Sequence, residues 1–134
     1  MKISLAGICA AFVFASTAPA LAQVACPAGT APSAVRVSTI KPAGSMEGFR
    51  KAATDHLKWY RDHGYKTNEI ITAPVMETTD RGKTWAPSRT QVLSIHRNDP
   101  GVPQSKRDTA WRAYVDEYRA NSDITTEVFT CLPR

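Results

Sequence analysis

Three histidines are the residues of this sequence best suited to chemistry, because the side-chain pKa of histidine lies closest to neutral pH. His56 and His63 occur seven residues apart, and His96 lies further along the chain. Trp59 and Tyr60 stand between the first two. Each of these side chains combines an apolar ring with a polar tip, which suits it to line a cleft. We take these five as the candidate ligand-binding residues and assign no catalytic residue.

The same residues also have a structural explanation, in which His56 and Trp59 complete the edge of a core. A shared metal ion is not expected, because seven helical residues separate His56 from His63 by about 10 Å along the axis. Metal-binding HExxH motifs instead place their histidines four residues apart. The sequence contains no GxSxG, P-loop, GxGxxG or EF-hand motif and no internal repeat. The identity of any cofactor is therefore unknown at this point.

Residues 1–22 have the composition of a secretory signal peptide. One basic residue, Lys2, precedes an apolar stretch that closes with small residues at Ala20–Ala22. The apolar run is shorter than the roughly 20 residues that a transmembrane helix needs. We therefore expect a periplasmic or secreted domain of residues 23–134, with no membrane segment after cleavage.

Export determines how the cysteines are interpreted. Cys9 leaves with the signal, so the mature chain keeps Cys26 and Cys131. Neither lies in a CxxC motif, and their spacing does not match a zinc site. A lipid anchor on Cys26 is disfavoured, because Gln23 stands where lipoprotein signals usually carry Leu. In an oxidising compartment the simplest expectation is a Cys26–Cys131 disulfide.

Four strands and two helices are predicted to position these side chains. Alternating, β-branched segments predict strands at residues 33–40, 68–78, 89–96 and 124–131. A first helix begins after the capping residue Ser45 and ends at His63, before Gly64. A second helix follows Ser105, with Asp108 completing a capping-box pair, and ends near Asn121.

The element order β-α-β-β-α-β predicts a ferredoxin-like α+β fold, with a four-stranded antiparallel sheet and two helices on one face. In that topology the first and last strands are antiparallel neighbours, which brings Cys26 near Cys131. The second strand lies at the sheet edge, where Pro74 is tolerated because it has no ladder hydrogen bond to donate.

Helical periodicity predicts which side of each helix faces the core. In the first helix the core ridge comprises Met46, Phe49, Ala53, Leu57 and Tyr60, and a mixed flank comprises Ala52, His56, Trp59 and His63. In the second helix an apolar stripe comprises Ala110, Trp111, Tyr114, Val115 and Tyr118.

The alternating residues of the third strand predict the character of the sheet face that the helices leave open. We assign Leu93 and Ile95 to the helix-covered face, which leaves Val92, Ser94 and His96 on the open face. That mixed row favours a homodimer formed through the open face, with His96 near the contact and association weakening at acidic pH.

This topology resembles the dimeric α+β barrel superfamily, in which two such sheets pack face to face. The resemblance covers nearly the whole mature chain and includes no residue-by-residue catalytic motif. Members of this superfamily include small monooxygenases, isomerases and haem-degrading enzymes. Because so many activities share the fold, the resemblance alone does not imply a particular one.

Charge excludes one class of function. The mature chain carries 16 basic and 12 acidic residues, because Lys2 leaves with the signal, and the charges are dispersed. A nucleic-acid-binding stripe is therefore not expected. Two hypotheses stand: an exported domain that binds a small molecule or a protein partner, and a dimeric-barrel enzyme using His56, His63 or His96. Convergence of the three histidines on one cavity would favour the enzyme.

Overall fold

The computed structural model describes residues 25–134, so the proposed signal peptide lies outside the described residues. The elements are β1 (Thr30–Ile40), α1 (Met46–Asp62), β2 (Glu69–Thr78), β3 (Trp85–Arg97), a short 3-10 helix (Gln104–Lys106), α2 (Thr109–Asn121) and β4 (Ser122–Pro133). The sheet order is β2-β3-β1-β4, and each neighbouring pair is antiparallel. The predicted ferredoxin-like α+β fold is confirmed.

The neighbouring first and last strands bring the two cysteines together. Cys131 lies opposite Pro32 in the β1–β4 ladder. A disulfide joins it to Cys26, with the Cα atoms 5.6 Å apart. The predicted bond is confirmed, and it closes almost the whole described chain into one covalent loop. By the chain-entropy model such a loop stabilises a small secreted domain by several kcal/mol.

Both helix starts are fixed by side-chain caps. The Ser45 hydroxyl accepts a hydrogen bond from the Gly48 amide at 2.9 Å, as expected for the start of α1. For α2 the predicted start is wrong, because the helix begins at Thr109 and Ser105 lies in the 3-10 helix. The Asp108 carboxylate caps the helix itself by accepting from the Trp111 amide at 2.8 Å. If the helix began after Ser105, Asp108 would lie within its first turn and could not act as the N-cap.

Two glycines let the end of α2 pack closely on the start of α1. A Cβ atom at Gly44 or Gly48 would collide with Asn121. The Asn121 side chain uses that space to accept a hydrogen bond from the Ser45 amide at 2.9 Å. This contact fixes how α2 sits relative to α1, and therefore which of its side chains face the sheet.

The predicted assignment of the β3 faces is wrong. His96 lies opposite Ala34 in β1 and Ile70 in β2, on the side covered by the helices, and it is only 4% exposed. Leu93 and Ile95 lie on the open face. The reason is that the covered side satisfies His96: Asn68 and Asp99 lie at its two ring nitrogens, and the Tyr60 ring from α1 packs against it.

The predicted buried faces of the two helices are confirmed in part. Phe49, Ala53 and Tyr60 of the predicted ridge are buried, whereas Met46 and Leu57 are half-buried. Two flank residues, Ala52 and Trp59, are as buried as the ridge. On α2 Tyr114 is buried, Trp111, Val115 and Tyr118 are half-buried, and Ala110 is exposed. The buried side of α1 is thus wider than periodicity alone predicts.

Candidate functional site

Three of the five candidate residues meet between the helices and the sheet. His56 and Tyr60 project from α1 and His96 from β3, and α2 adds two tyrosines. We name this set the ring cluster; it comprises His56, Tyr60, His96, Tyr114 and Tyr118.

His56 is the centre of the ring cluster. Its imidazole stacks on the Tyr114 ring at 4.4 Å between centroids, with 18° between the planes. Its ring lies edge-on to His96 at 5.1 Å. The Tyr118 hydroxyl lies 3.5 Å from Nδ1 of His56, at the long limit of a hydrogen bond. A histidine that sequence periodicity places on a helix flank is therefore surrounded by rings.

His96 is kept neutral by burial, and each of its ring nitrogens lies beside a polar neighbour. Its Nε2 lies 3.1 Å from the side-chain nitrogen of Asn68, and its Nδ1 lies 3.4 Å from a carboxylate oxygen of Asp99. The Asn68 carbonyl oxygen accepts from Arg61 at 2.8 Å, which turns the amide nitrogen towards His96. A neutral ring that donates from Nδ1 and accepts at Nε2 satisfies both contacts.

Burial keeps the ring cluster uncharged at neutral pH. It lowers the pKa of His56 to about 3, with the nearby charges of His96 and Arg36 adding to the effect. It also lowers the pKa of His96 to about 4, against the opposing influence of Asp99. Burial raises the pKa of Tyr60, Tyr114 and Tyr118 above the ordinary tyrosine value. All five groups are therefore neutral hydrogen-bonding groups in a desolvated site.

One of these groups is unpaired. The Tyr114 side chain is 3% exposed, and its hydroxyl has no hydrogen-bond partner among residues 25–134. A buried hydroxyl left in this state costs about 1–3 kcal/mol. Such an orphan group in a native protein requires an explanation, and one explanation is a ligand that supplies the missing partner.

The ring cluster continues into an uncovered part of the same sheet face. Phe129 in β4 lies opposite Ala34, which in turn lies opposite His96, so the three side chains share one row. Phe129 is 66% exposed, and Ile124 on the same side of β4 is 57% exposed. Between them Glu127 forms an ion pair with Arg36 of β1. We name Ile124, Glu127 and Phe129 the β4 shelf.

The other two candidates, Trp59 and His63, stack on one another at the ends of the helices, and the Trp59 ring also lies edge-on to Tyr60 of the ring cluster at 5.2 Å. Their rings stack at 4.0 Å. Trp59 donates its indole hydrogen to Asp108 at 2.8 Å, and His63 Nε2 lies 3.1 Å from the other carboxylate oxygen. The Trp111 backbone amide, followed by the Trp59 indole, lowers the pKa of Asp108. Asp108 therefore ties the end of α1 to the start of α2, which is a structural role.

Two cavities among residues 25–134 lie outside the ring cluster. A cavity of about 260 Å³ opens beside the Trp59–His63 stack and is also lined by Tyr65, Lys106 and Asp108. A wider surface groove of about 520 Å³ lies between α1 and β2; its lining includes Arg50, Leu57, Arg61 and Ile70. None of the five candidate residues lines this larger groove.

The histidines therefore converge in part: His56 and His96 meet, and His63 does not join them. Residues 25–134 contain no group of three or more His, Cys, Asp or Glu side chains placed to hold a metal ion. Sequence reasoning missed Arg36, Asn68 and Asp99, which lie on three different segments. Tyr114 and Tyr118 are four apart on one helix, a spacing that signals core packing and gives no sign of an unpaired hydroxyl.

Neither a protein-family model nor a curated protein sequence matches this chain. Fold and geometry alone define its class, which is a disulfide-linked ferredoxin-like α+β domain. Every helix among residues 25–134 is too short or too polar to cross a lipid bilayer.

Proposed function

We propose that the protein is an exported domain of the dimeric α+β barrel type that binds a small molecule between α2 and the β4 shelf. The ligand's inner end contacts the ring cluster. The single observation that carries this proposal is the Tyr114 hydroxyl, which is buried and unpaired, on a ring that stacks on the imidazole of His56.

A purely structural core gives no reason for this composition. Phenylalanine at the same position would keep the ring contacts of Tyr114 without burying an unpaired hydroxyl. The chain instead places three tyrosines and two neutral histidines together in a small domain. Native proteins accept such destabilising polar groups mainly at functional sites.

The surroundings specify the class of ligand. Because the ring cluster is uncharged and desolvated, the inner end of the ligand is an uncharged hydroxyl or carbonyl group. The exposed side chains of Phe129 and Ile124 suit a flat apolar body beside β4. A hydroxylated aromatic molecule has both features.

The pKa of His56 favours binding over catalysis. A general base is most effective when its pKa lies near the working pH, and a buried imidazole with a pKa of about 3 accepts a proton poorly. In His63 and His96 both ring nitrogens already face protein partners. The enzymatic alternative, a monooxygenase, isomerase or haem-related activity, is therefore the weaker of the two hypotheses.

Titration with 2-naphthol tests the binding proposal. Trp111 lies 5.1 Å from the Tyr114 ring, so its fluorescence should report occupancy of the site. We expect saturable binding that Tyr114→Phe weakens by about tenfold, the loss of roughly one hydrogen bond. His63→Gln changes a side chain that lies outside the ring cluster, and this variant should bind as the wild type does. Equal affinity of the wild type and Tyr114→Phe would refute the proposal.

Export is part of the same proposal. The disulfide supports an oxidising compartment, since such bonds seldom persist in the cytosol of ordinary cells. The signal peptide itself stays a prediction. N-terminal sequencing of exported protein should find Gln23 as the first residue, and retention of residues 1–22 would contradict it.

A further inference from the structure

Strands β2 and β3 continue beyond the rest of the sheet as a two-stranded hairpin. β1 pairs with β3 only as far as Gln91, whereas β2 pairs with it as far as Trp85. The register of the β2–β3 ladder shifts between Pro74 and Met76, where the hairpin leaves the sheet. We name residues 76–87 the hairpin arm. All of its residues except Asp80 are exposed, so the arm projects from the body of the domain.

One face of the hairpin arm is apolar. Directly opposite residues of an antiparallel ladder lie on the same face, and so do alternate residues of one strand. Met76 lies opposite Pro87, and Thr78 lies opposite Trp85, so these four side chains share a face. Met76 is 47% exposed and Trp85 58% exposed. Glu77 lies on the other face, which keeps its charge away from the apolar side chains.

The tip of the hairpin arm is held in one shape by Asp80. The Asp80 carboxylate accepts hydrogen bonds from the Thr84 amide at 2.5 Å and from the Thr84 hydroxyl at 2.7 Å. Arg81 and Gly82 both have left-handed backbones, and the Gly82 amide donates to the Thr78 hydroxyl at 2.8 Å. The turn is thus ordered before any partner binds, which lowers the entropy cost of binding.

Two cations belong to this turn. Arg81 and Lys83 form no ion pair with any group among residues 25–134. The nearest carboxylate along the chain, that of Asp80, is directed at Thr84. The arm therefore presents an exposed tryptophan beside two free cations. Tryptophan is enriched at the membrane–water interface, and basic side chains are attracted to anionic headgroups.

We propose that the hairpin arm binds the surface of a membrane that contains anionic phospholipid. The Trp85 and Met76 side chains enter the headgroup layer, and Arg81 and Lys83 contact the lipid phosphates. The contact is peripheral, because about five residues of extended chain reach roughly 16 Å, well short of the 30 Å hydrocarbon core. The arm would hold the exported domain at a membrane surface without a spanning segment.

The size of the apolar face favours lipid over a protein partner. The exposed parts of Met76, Trp85 and Pro87 together present roughly 250 Å². A specific protein interface usually buries about 800 Å² on each partner. A lipid surface requires no matching shape, so a small apolar contact can act together with the attraction of two cations.

Sedimentation with phospholipid vesicles tests the proposal. The probes are vesicles of phosphatidylglycerol and phosphatidylcholine in equal parts, and vesicles of phosphatidylcholine alone. At about 0.1 M salt we expect the wild type to bind the anionic vesicles at least tenfold more tightly, since each basic residue near an anionic surface raises binding about fivefold. Binding should weaken at about 1 M salt, where the Debye length falls to about 3 Å.

A pair of apolar substitutions tests whether the arm makes the contact. Trp85→Ser should weaken binding to the anionic vesicles at least about tenfold, because it removes apolar area that the headgroup layer covers. Val128→Ser is the control: Val128 is 51% exposed on β4, away from the arm, and this variant should bind as the wild type does. Circular dichroism melts would show that each variant is folded. If Trp85→Ser fails to fold, Met76→Ser takes its place.

A pair of double substitutions tests the role of charge. Arg81→Gln with Lys83→Gln should weaken binding to the anionic vesicles by about 25-fold, the product of two fivefold effects. Lys66→Gln with Arg112→Gln removes the same charge at two exposed positions outside the arm, and this variant should bind nearly as the wild type does.

Three results would overturn the proposal. The first is a wild-type protein that does not sediment with anionic vesicles, which would leave a protein as the partner of the arm. The second is equal weakening by Trp85→Ser and Val128→Ser. The third is equal weakening by the two double variants, which would show a diffuse attraction of the whole basic domain instead of a contact through the arm.

Discussion

Removal of the Tyr114 hydroxyl should stabilise the fold. Tyr114→Phe keeps the stacking on His56 at 4.4 Å and the edge contact with Trp111 at 5.1 Å. It removes only an oxygen that is buried without a partner. Since such a group costs about 1–3 kcal/mol, we expect the free energy of unfolding to rise by about 1 kcal/mol. The melting temperature should rise by about 4–8 °C.

Tyr118→Phe is the matched control, because it makes the same chemical change four residues along α2. The Tyr118 hydroxyl lies 3.5 Å from Nδ1 of His56, so its removal breaks a weak hydrogen bond. We expect this variant to lose about 0.5–1 kcal/mol of stability. The two substitutions should thus change stability in opposite directions.

Urea unfolding at pH 7 with the disulfide intact measures both changes. The slope of the unfolding free energy against urea concentration should be the same for the wild type and both variants. Shifts of the unfolding midpoint then report changes in stability. Equal destabilisation by the two substitutions would show that the Tyr114 hydroxyl has a partner in the folded protein. The Tyr114 hydroxyl would then give no reason to expect a ligand at the ring cluster.

Three further predictions concern the rest of the molecule. Non-reducing peptide mapping should link Cys26 to Cys131, and reduction should cost about 2–5 kcal/mol of stability; free thiols in exported protein would contradict the bond. Acid should destabilise the protein: the pKa of His56 is about 3 and that of His96 about 4 in the folded state, so the unfolded chain takes up protons first. Stability should therefore fall by a few kcal/mol between about pH 6.5 and pH 4, and the His96→Gln variant should show a shallower fall than the wild type in urea titrations; equal slopes would contradict the assignment. Asp108→Ala should lose about 1–2 kcal/mol because it removes both the α2 cap and the acceptor of the Trp59 indole, whereas exposed Asp116→Ala should change stability by less than about 0.5 kcal/mol; equal losses in thermal melts would refute the role of Asp108.

The order of the elements could be predicted because its signals are local. Ser45 caps α1 and Gly64 follows its end in a left-handed conformation, with φ at +83°. These positions depend on the backbone and on neighbours three or four residues away, and their sequence signals are correspondingly direct. The disulfide followed from element order, because the ferredoxin-like topology makes the first and last strands neighbours.

The start of α2 shows the limit of local signals. Ser105 and Asp108 are both acceptable cap residues, and the sequence alone did not rank them. The Trp59 indole and His63 reach Asp108 across the helix ends, which adds tertiary contacts to the cap.

The orientation of β3 depended on tertiary structure entirely. Period-two alternation shows that Leu93 and Ile95 share a face, but it contains no information on which face the helices cover. Hydrophobicity favoured these aliphatic residues for the covered side. The packed domain instead buries His96 there, because Asn68 and Asp99 satisfy its nitrogens and aromatic rings from the helices fill the remaining volume.

The ring cluster shows the same division between sequence and structure. The residue types of His56, Tyr60 and His96 marked them as candidates, and their chemistry is a property of the sequence. The separation of His63 from His56 follows from the rise of a helix. The meeting of His56 and Tyr60 with His96 instead depends on how α1 packs on the sheet. The unpaired state of the Tyr114 hydroxyl depends on every neighbour within reach, so only the complete packing of the interior could determine it.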